Sequence, residues 1–340
     1  MPRVSLRDVG KLAGVSVTTV SHVLNETPHA RVNADTRKRV REAAEALGYR
    51  ADQMARGLRT KSSGMIGLLT EDIAATPHAG RIILGAQETA KRHNLTMAII
   101  NSGVSDDLTD RTEDVLTLLD RRVDGMIYAT VYHDVVSPPK ELRSVPAVLI
   151  GAEDDRKEIP SVIPDEYGGA MTAVRTLVSR GHARIAFVAS RQDVPATRGR
   201  QAGYLAALKE AGIAPDDSLM ADGESEAPGG YEAMMRILDA GSPTAVFSYN
   251  DRMAIGVYRA LAERGLRVPD DISVVGFDDQ PPIPTSLFPP LDTIALPHYD
   301  MGAWAVDALV VQMQGQPAPA SERLLCRLVT RNSTTDAPAR

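Results

Sequence analysis

Apolar residues recur at helical spacing over the first fifty positions and then gather into short unbroken runs, so the period of the chain changes near residue 63. Ser5 and Asp8 have the spacing of a capping box, which starts a first helix whose apolar residues are Leu6, Val9 and Ala13. Gly14 supplies a left-handed stop. Ser16 caps a second helix, with Val20, Val23 and Leu24 on one side and Thr18, Thr19 and His22 on the other, exposed side. A loop through Thr27 and Pro28 leads to Asn33, the cap of a third helix with Val40, Ala43, Ala44 and Leu47 inward and Gly48 as its stop. Two helices joined by a short turn, braced by a third, make a helix-turn-helix unit.

Beyond Ser63 the runs Met65–Leu69, Thr96–Ile100, Gly125–Ala129 and Ala147–Ile150 form one series, and Arg184–Ala189, Ala245–Ser248 and Ile272–Phe277 a second. Each is apolar on both faces and alternates with helical segments such as 84–93 and 204–211, the pattern of buried parallel strands with crossover helices. The body is expected to be α/β, doubly wound, twice over. In such sheets ligands sit beyond the carboxyl ends of the strands. The polar residues there are Asp72, Asn101, Asp165, Asn250, Asp251, Asp278 and Asp279, with Arg200 in a loop before a helix starting near Gly203. Carboxylates, amides and one guanidinium suit a hydroxyl-rich ligand, since each hydroxyl both donates and accepts.

Charge sharpens this division. The 340 residues sum to −6, which on its own argues against nucleic acid, but residues 1–60 carry 11 Lys and Arg against 6 Asp and Glu. The remaining 280 therefore carry −11. A basic helix-turn-helix head implies DNA, its second helix entering a major groove about 12 Å wide. Val17, Thr18, Thr19 and His22 then face base edges, while Ser16, Asn25 and Tyr49 donate to phosphates. One cysteine, Cys326 in an apparent strand Leu-Leu-Cys-Arg-Leu, excludes a disulfide framework or an all-Cys metal site. The start lacks the apolar run of a signal peptide and no segment reaches the ~20 apolar residues of a membrane span, so a cytoplasmic protein is expected. The seven His are scattered, with no Gly-x-Ser-x-Gly and no Walker-type Lys, so neither enzyme chemistry, metal nor cofactor is expected. The alternatives are a cytoplasmic enzyme or a solute-binding protein on the same α/β fold.

The segment Leu6-Arg-Asp-Val-Gly-Lys-Leu-Ala-Gly-Val-Ser-Val-Thr-Thr-Val-Ser-His-Val-Leu-Asn25, with Thr36-Arg, Leu47-Gly-Tyr49 and Ala55-Arg-Gly-Leu-Arg-Thr60, resembles the head of the lactose-repressor/galactose-repressor family, closest to its purine-repressor branch. Gly10 stands where that family usually has Ala, which weakens the first helix by up to about 1 kcal/mol. Arg180-Gly-His-Ala-Arg-Ile-Ala-Phe, Arg200-Gln-Ala-Gly-Tyr204, Phe247-Ser-Tyr-Asn-Asp251 and Val274-Val-Gly-Phe-Asp-Asp279 resemble the family's effector domain, which is similar to periplasmic sugar-binding proteins.

The resemblance implies a helix-turn-helix domain at 1–50, a hinge helix and linker at 51–62, and an effector-binding and dimerisation domain at 63–340. Its lobes would be 63–163 with 296–322, and 164–295 with 323–333. Paired hinge helices would meet in the minor groove of a pseudo-palindromic operator, Leu58 wedging a base step and Arg56 and Arg59 neutralising phosphates or entering the groove. A homodimeric repressor responding to a small effector in the cleft follows. Many relatives carry aromatic residues at the positions of His78 and near Ser225, and Val194 and Ala196 replace purine-branch residues, so a purine is not implied. Stacking would fall to Tyr128, Tyr132 or Tyr249, and a small polar metabolite, a sugar or sugar derivative, is the favoured effector.

Overall fold

The computed structural model describes residues 4–24, 30–49, 62–71, 79–102 and 108–338. It divides at Gly64 into a small helical unit and a large body.

The small unit contains α1 (Leu6–Ala13), α2 (Val17–Leu24) and α3 (Ala34–Ala46). The Ser5 side chain accepts the Asp8 amide while Asp8 accepts the Ser5 amide at 2.9 Å, closing both halves of the capping box. Gly14 ends α1 at φ 67°, a left-handed conformation that costs glycine nothing. Asn33 caps α3 by accepting the Thr36 amide at 2.8 Å. The three helices bury Val9, Ala13, Val20, Val23, Val40, Ala43 and Ala44 around one centre. Gly10 has a packing reason that helix propensity misses: a Cβ there would stand 2.9 Å from the Val15 carbonyl oxygen, in the turn before α2.

The body is built on two six-stranded sheets. The first takes β1 (Met65–Glu71), β2 (Thr96–Ser102), β3 (Gly125–Val136), β4 (Ala147–Asp154), β5 (Ser161–Pro164) and β11 (Glu322–Leu324), in the order β11-β5-β4-β3-β1-β2. The second takes β6 (Ile185–Ser190), β7 (Met220–Gly223), β8 (Ala245–Ser248), β9 (Ser273–Asp278), β10 (Asp292–Ala295) and β12 (Arg327–Val329), in the order β12-β10-β9-β8-β6-β7. All pairings are parallel except β10 with β12.

Strand alternation separates the two faces of each sheet. In the first, Ile66 and Leu68 join Ile82 and Ala86 of α4 (Ala79–Arg92) and Met301 and Ala305 of α11 (His298–Met313). Leu69, Met126 and Tyr128 face the other way, toward Val115 and Leu118 of α5 (Leu108–Asp120). In the second, Phe187, Phe247 and Phe277 form a ladder on neighbouring strands, with ring centroids 5.1 and 6.3 Å apart, over α6 (Glu166–Ser179) and α7 (Pro195–Glu210). The opposite face is covered by α8 (Ala227–Ala240) and α9 (Asp251–Glu263), and the short α10 (Ile283–Ser286) follows β9. Runs apolar on both faces are what such a doubly covered sheet demands.

The chain passes between the sheets after Pro164, after Ala295 and after Leu324. The last passage falls beyond the expected 322, because Arg323 and Leu324 still pair with Ile163 and Pro164. Cys326 is therefore not a strand residue: it lies in the two-residue passage between β11 and β12, buried against Gly169 and the Phe277 cluster. The helix expected to begin near Gly203 begins at Pro195, which puts Arg200 inside α7 rather than in a loop before it. Tyr128, a stacking candidate, is 1% exposed and belongs to the core of the first lobe.

Candidate functional site

Two sets of residues stand apart from the cores. In the small unit, the Ser16 hydroxyl accepts the Thr19 amide at 3.1 Å and shares a hydrogen bond with Thr19 Oγ1 at 2.9 Å, so it anchors the first turn of α2. Behind it Val20 and Val23 are fully buried, and this fixes which side of α2 faces water. Ser16, Val17 and Thr18 are exposed there, with Thr19 and His22 half-buried. Val17 is 43% exposed, an apolar side chain presented to solvent at a helix N-terminus. Tyr49 packs at the edge of the three-helix core. Asn25, Arg56, Leu58 and Arg59 lie outside the described residues, as does the hinge segment 51–61.

In the body a cavity of about 60 Å³ opens between the two lobes. Thr130, His133 and Gly151 line it from the first lobe, and Gln192, Arg200, Ser225, Asn250, Arg252 and Asp278 from the second. Glu166 and His298 line it just past two of the passages.

At its centre is a buried ion triad. The Arg200 side chain is 5% exposed; it donates from Nε to Glu166 Oε2 at 2.6 Å and from Nη1 to the Tyr249 carbonyl at 2.6 Å, and its Nη2 stands 3.1 Å from Asp278 Oδ1. The guanidinium lies 3.8 Å from the Phe277 ring centre and 4.5 Å from that of Tyr249. Burial disfavours the charged guanidinium, but Glu166 and Asp278 more than offset this and hold Arg200 charged. Burial pushes Asp278 up to about 6, despite the opposing charge of Arg200. Asp278 and Asp279 both sit at positive φ, 104° and 50°, which strains non-glycine residues by about 1–3 kcal/mol each. Such strain persists where neighbours fix it; Arg200 holds Asp278 and Arg331 holds Asp279 at 2.6 Å.

Of the residues expected at an effector site, Arg200, Asn250 and Asp278 line this cavity. Three others have structural duties instead. Asp165 caps α6 by accepting the Gly168 amide at 3.0 Å, and it is its neighbour Glu166 that faces Arg200. Asp251 is fully buried, accepting from Thr293 Oγ1 at 2.6 Å and the Gln280 amide at 2.8 Å; burial and the charge of Asp278 push it up to about 8. Asn101 accepts from Thr70 Oγ1 at 2.8 Å and does not line the cavity. Asp72 and His78 lie outside the described residues. Asn250 itself is spent on structure, capping α9 through Met253 and donating to the Ser225 carbonyl at 3.1 Å.

Residues 5–52 match the family model for bacterial regulatory proteins of the lacI family, and residues 174–334 that for a periplasmic binding protein-like domain. Over 337 residues the chain is 34% identical to catabolite control protein A of Priestia megaterium, covering 97% of this chain and 99% of that protein. The chain belongs to the lacI family. It is also 34% identical over 343 residues to the transcriptional repressor CytR of Escherichia coli K12, covering 98% of this chain and 97% of the repressor. Among solved structures, the lac repressor dimer bound to operator and the anti-inducer ONPF superposes with a TM-score of 0.80 at 31% identity, covering 98% of this chain and all of that one. The lacI-family assignment spans both units, so the helical head and the two-lobed body are parts of one regulator architecture. No helix among the described residues is long and apolar enough to cross a membrane.

Proposed function

We propose that this lacI-family protein is a homodimeric, sequence-specific DNA-binding repressor whose operator affinity is set by a small polar metabolite, a sugar or sugar derivative, held between the lobes. The observation that carries the reading is the coexistence, in one chain, of a family-matched helix-turn-helix head and a polar interlobe cavity centred on the Arg200 triad. Val17, Thr18, Thr19 and His22 read base edges from the exposed side of α2, and Ser16, Asn25 and Tyr49 hold phosphates. Each head reads half of a pseudo-palindrome, with Arg56, Leu58 and Arg59 at the central minor groove.

Coupling resides in the three passages between the lobes. Glu166 follows the first and His298 the second, and both line the cavity, so a ligand that draws the lobes together acts where the lobes are joined. A ligand can shift such an equilibrium only by its differential affinity for the two arrangements.

The test begins with selection of duplexes from a random pool on the full-length protein. Removing residues 1–60 abolishes retention of the selected duplex while the thermal response to metabolites persists. Specific retention by the truncated chain would overturn the assignment of DNA binding to the head.

A further inference from the structure

Three buried polar atoms at the cavity make no hydrogen bond among the described residues. One, Asp278 Oδ1, still has Arg200 Nη2 as its ion-pair partner at 3.1 Å; the other two come from opposite lobes. His133 Nε2 stands 2.9 Å from Glu153 Oε1, the side chain is 8% exposed, and its Nδ1 is buried without a hydrogen bond. Arg252 pairs through Nη1 with Glu226 Oε1 at 2.9 Å, while its Nε is buried and unsatisfied. Both residues line the interlobe cavity. The other strong groups there are already engaged: Arg200 by Glu166, Asp278 and the Tyr249 carbonyl, and Asn250 by Met253 and Ser225.

His133 reaches the cavity through an irregularity in β3. Between the pairs Ala129/Ile150 and Asp134/Ala152 the strand advances five residues against two on β4, so residues 130–133 bulge from the ladder. Bulges re-aim side chains and recur beside functional sites.

The chemistry of the two atoms differs. A carboxylate only accepts, so when the imidazole is neutral Glu153 places its single proton on Nε2 and leaves a lone pair on Nδ1. Arg252 Nε carries a hydrogen and only donates. A hydroxyl satisfies the first by donating and the second by accepting. A phosphate or carboxylate oxygen only accepts, and would place an anion against the imidazole lone pair. It would also enter a site where Glu153, Glu166, Glu226 and Asp278 outnumber Arg200 and Arg252.

We infer that His133 and Arg252 form a specificity-determining clamp across the cleft that selects an uncharged, hydroxyl-bearing effector over its phosphate ester. The inference rests on the proposed reading of the cleft as the effector site.

The test uses the full-length protein, thermal unfolding and calorimetric titration, and three matched pairs: glucose and glucose 6-phosphate, ribose and ribose 5-phosphate, cytidine and cytidine monophosphate, with cellobiose as a further neutral probe. A neutral probe raises the unfolding temperature and its phosphate ester does not. For that probe, His133→Ala weakens binding on the order of 10- to 100-fold, the scale of one unmade buried hydrogen bond. His133→Asn, whose amide oxygen can take the place of Nδ1, restores most of the loss. Where His133→Ala does not fold, Arg252→Lys gives the same loss, since it keeps the charge and lacks the Nε donor. A phosphate ester that binds as well as its neutral partner, or variants that bind like the parent, would overturn the clamp. No response to any probe would remove the cleft reading, and the clamp with it.

Discussion

Replacing Arg200 with Met removes the guanidinium from the triad at nearly constant length and leaves two carboxylates, Glu166 and Asp278, buried without their cation. Breaking a buried pair by deleting one partner costs about 3–5 kcal/mol, most of it the stranded charge. With a urea dependence of about 3 kcal/mol/M for a body of this size, the unfolding midpoint falls by more than about 1 M. The loss has a pH signature. Asp278 is already raised to about 6 from 3.8, and without Arg200 its folded-state value rises further. An acid that holds its proton more tightly when folded favours the folded state at low pH, so the deficit of the variant is smaller at pH 5 than at pH 8. Urea titrations of the full-length parent and variant at pH 5 and pH 8, followed by circular dichroism, measure this. An unchanged midpoint at pH 8 would refute the triad as the centre of the second lobe's cleft face.

Two further outcomes follow from named contacts. Asp251 is raised to about 8 in the folded chain against 3.8 unfolded, so stability declines as pH rises through the interval between these values; Asp251→Asn flattens that slope in thermal unfolding, and an unchanged slope would place the titration elsewhere. At Gly302 an added Cβ overlaps the Ile82 carbonyl oxygen where α11 crosses α4, so Gly302→Ala destabilises the first lobe by about 1–3 kcal/mol, and a neutral substitution would disprove the close approach.

What the sequence disclosed follows from how local each signal is. Ser5 with Asp8 and Asn33 mark helix starts because a cap is made within one turn, and the runs around Ile66, Phe187 and Phe247 mark strands because both faces are covered. The position of Arg200 inside α7 is hard to read because the N-cap, Val194, makes no side-chain cap and Pro195 is the one start signal. Asp165 and Glu166 are adjacent carboxylates with opposite duties, one capping and one facing the cleft, and only the passage between sheets decides which is which. Asp251 looked like a ligand residue because it follows a strand, yet the turn after β9 folds over it and claims both oxygens. Thr130 and His133 are not legible in the pattern because the apolar run ends at Ala129, whereas the strand continues through a bulge to Val136. The signal available was Thr130 itself, a polar residue directly after a strand run like the others.

The most direct measurement of the central claim is the dissociation constant of the full-length protein for its selected duplex, with and without a saturating metabolite that raises the unfolding temperature. Head and cleft in one allosteric chain predict a change of about 5- to 150-fold, mirrored by the same factor in metabolite affinity when the duplex is present. Equal affinities in the two conditions, with the metabolite demonstrably bound, would contradict the account.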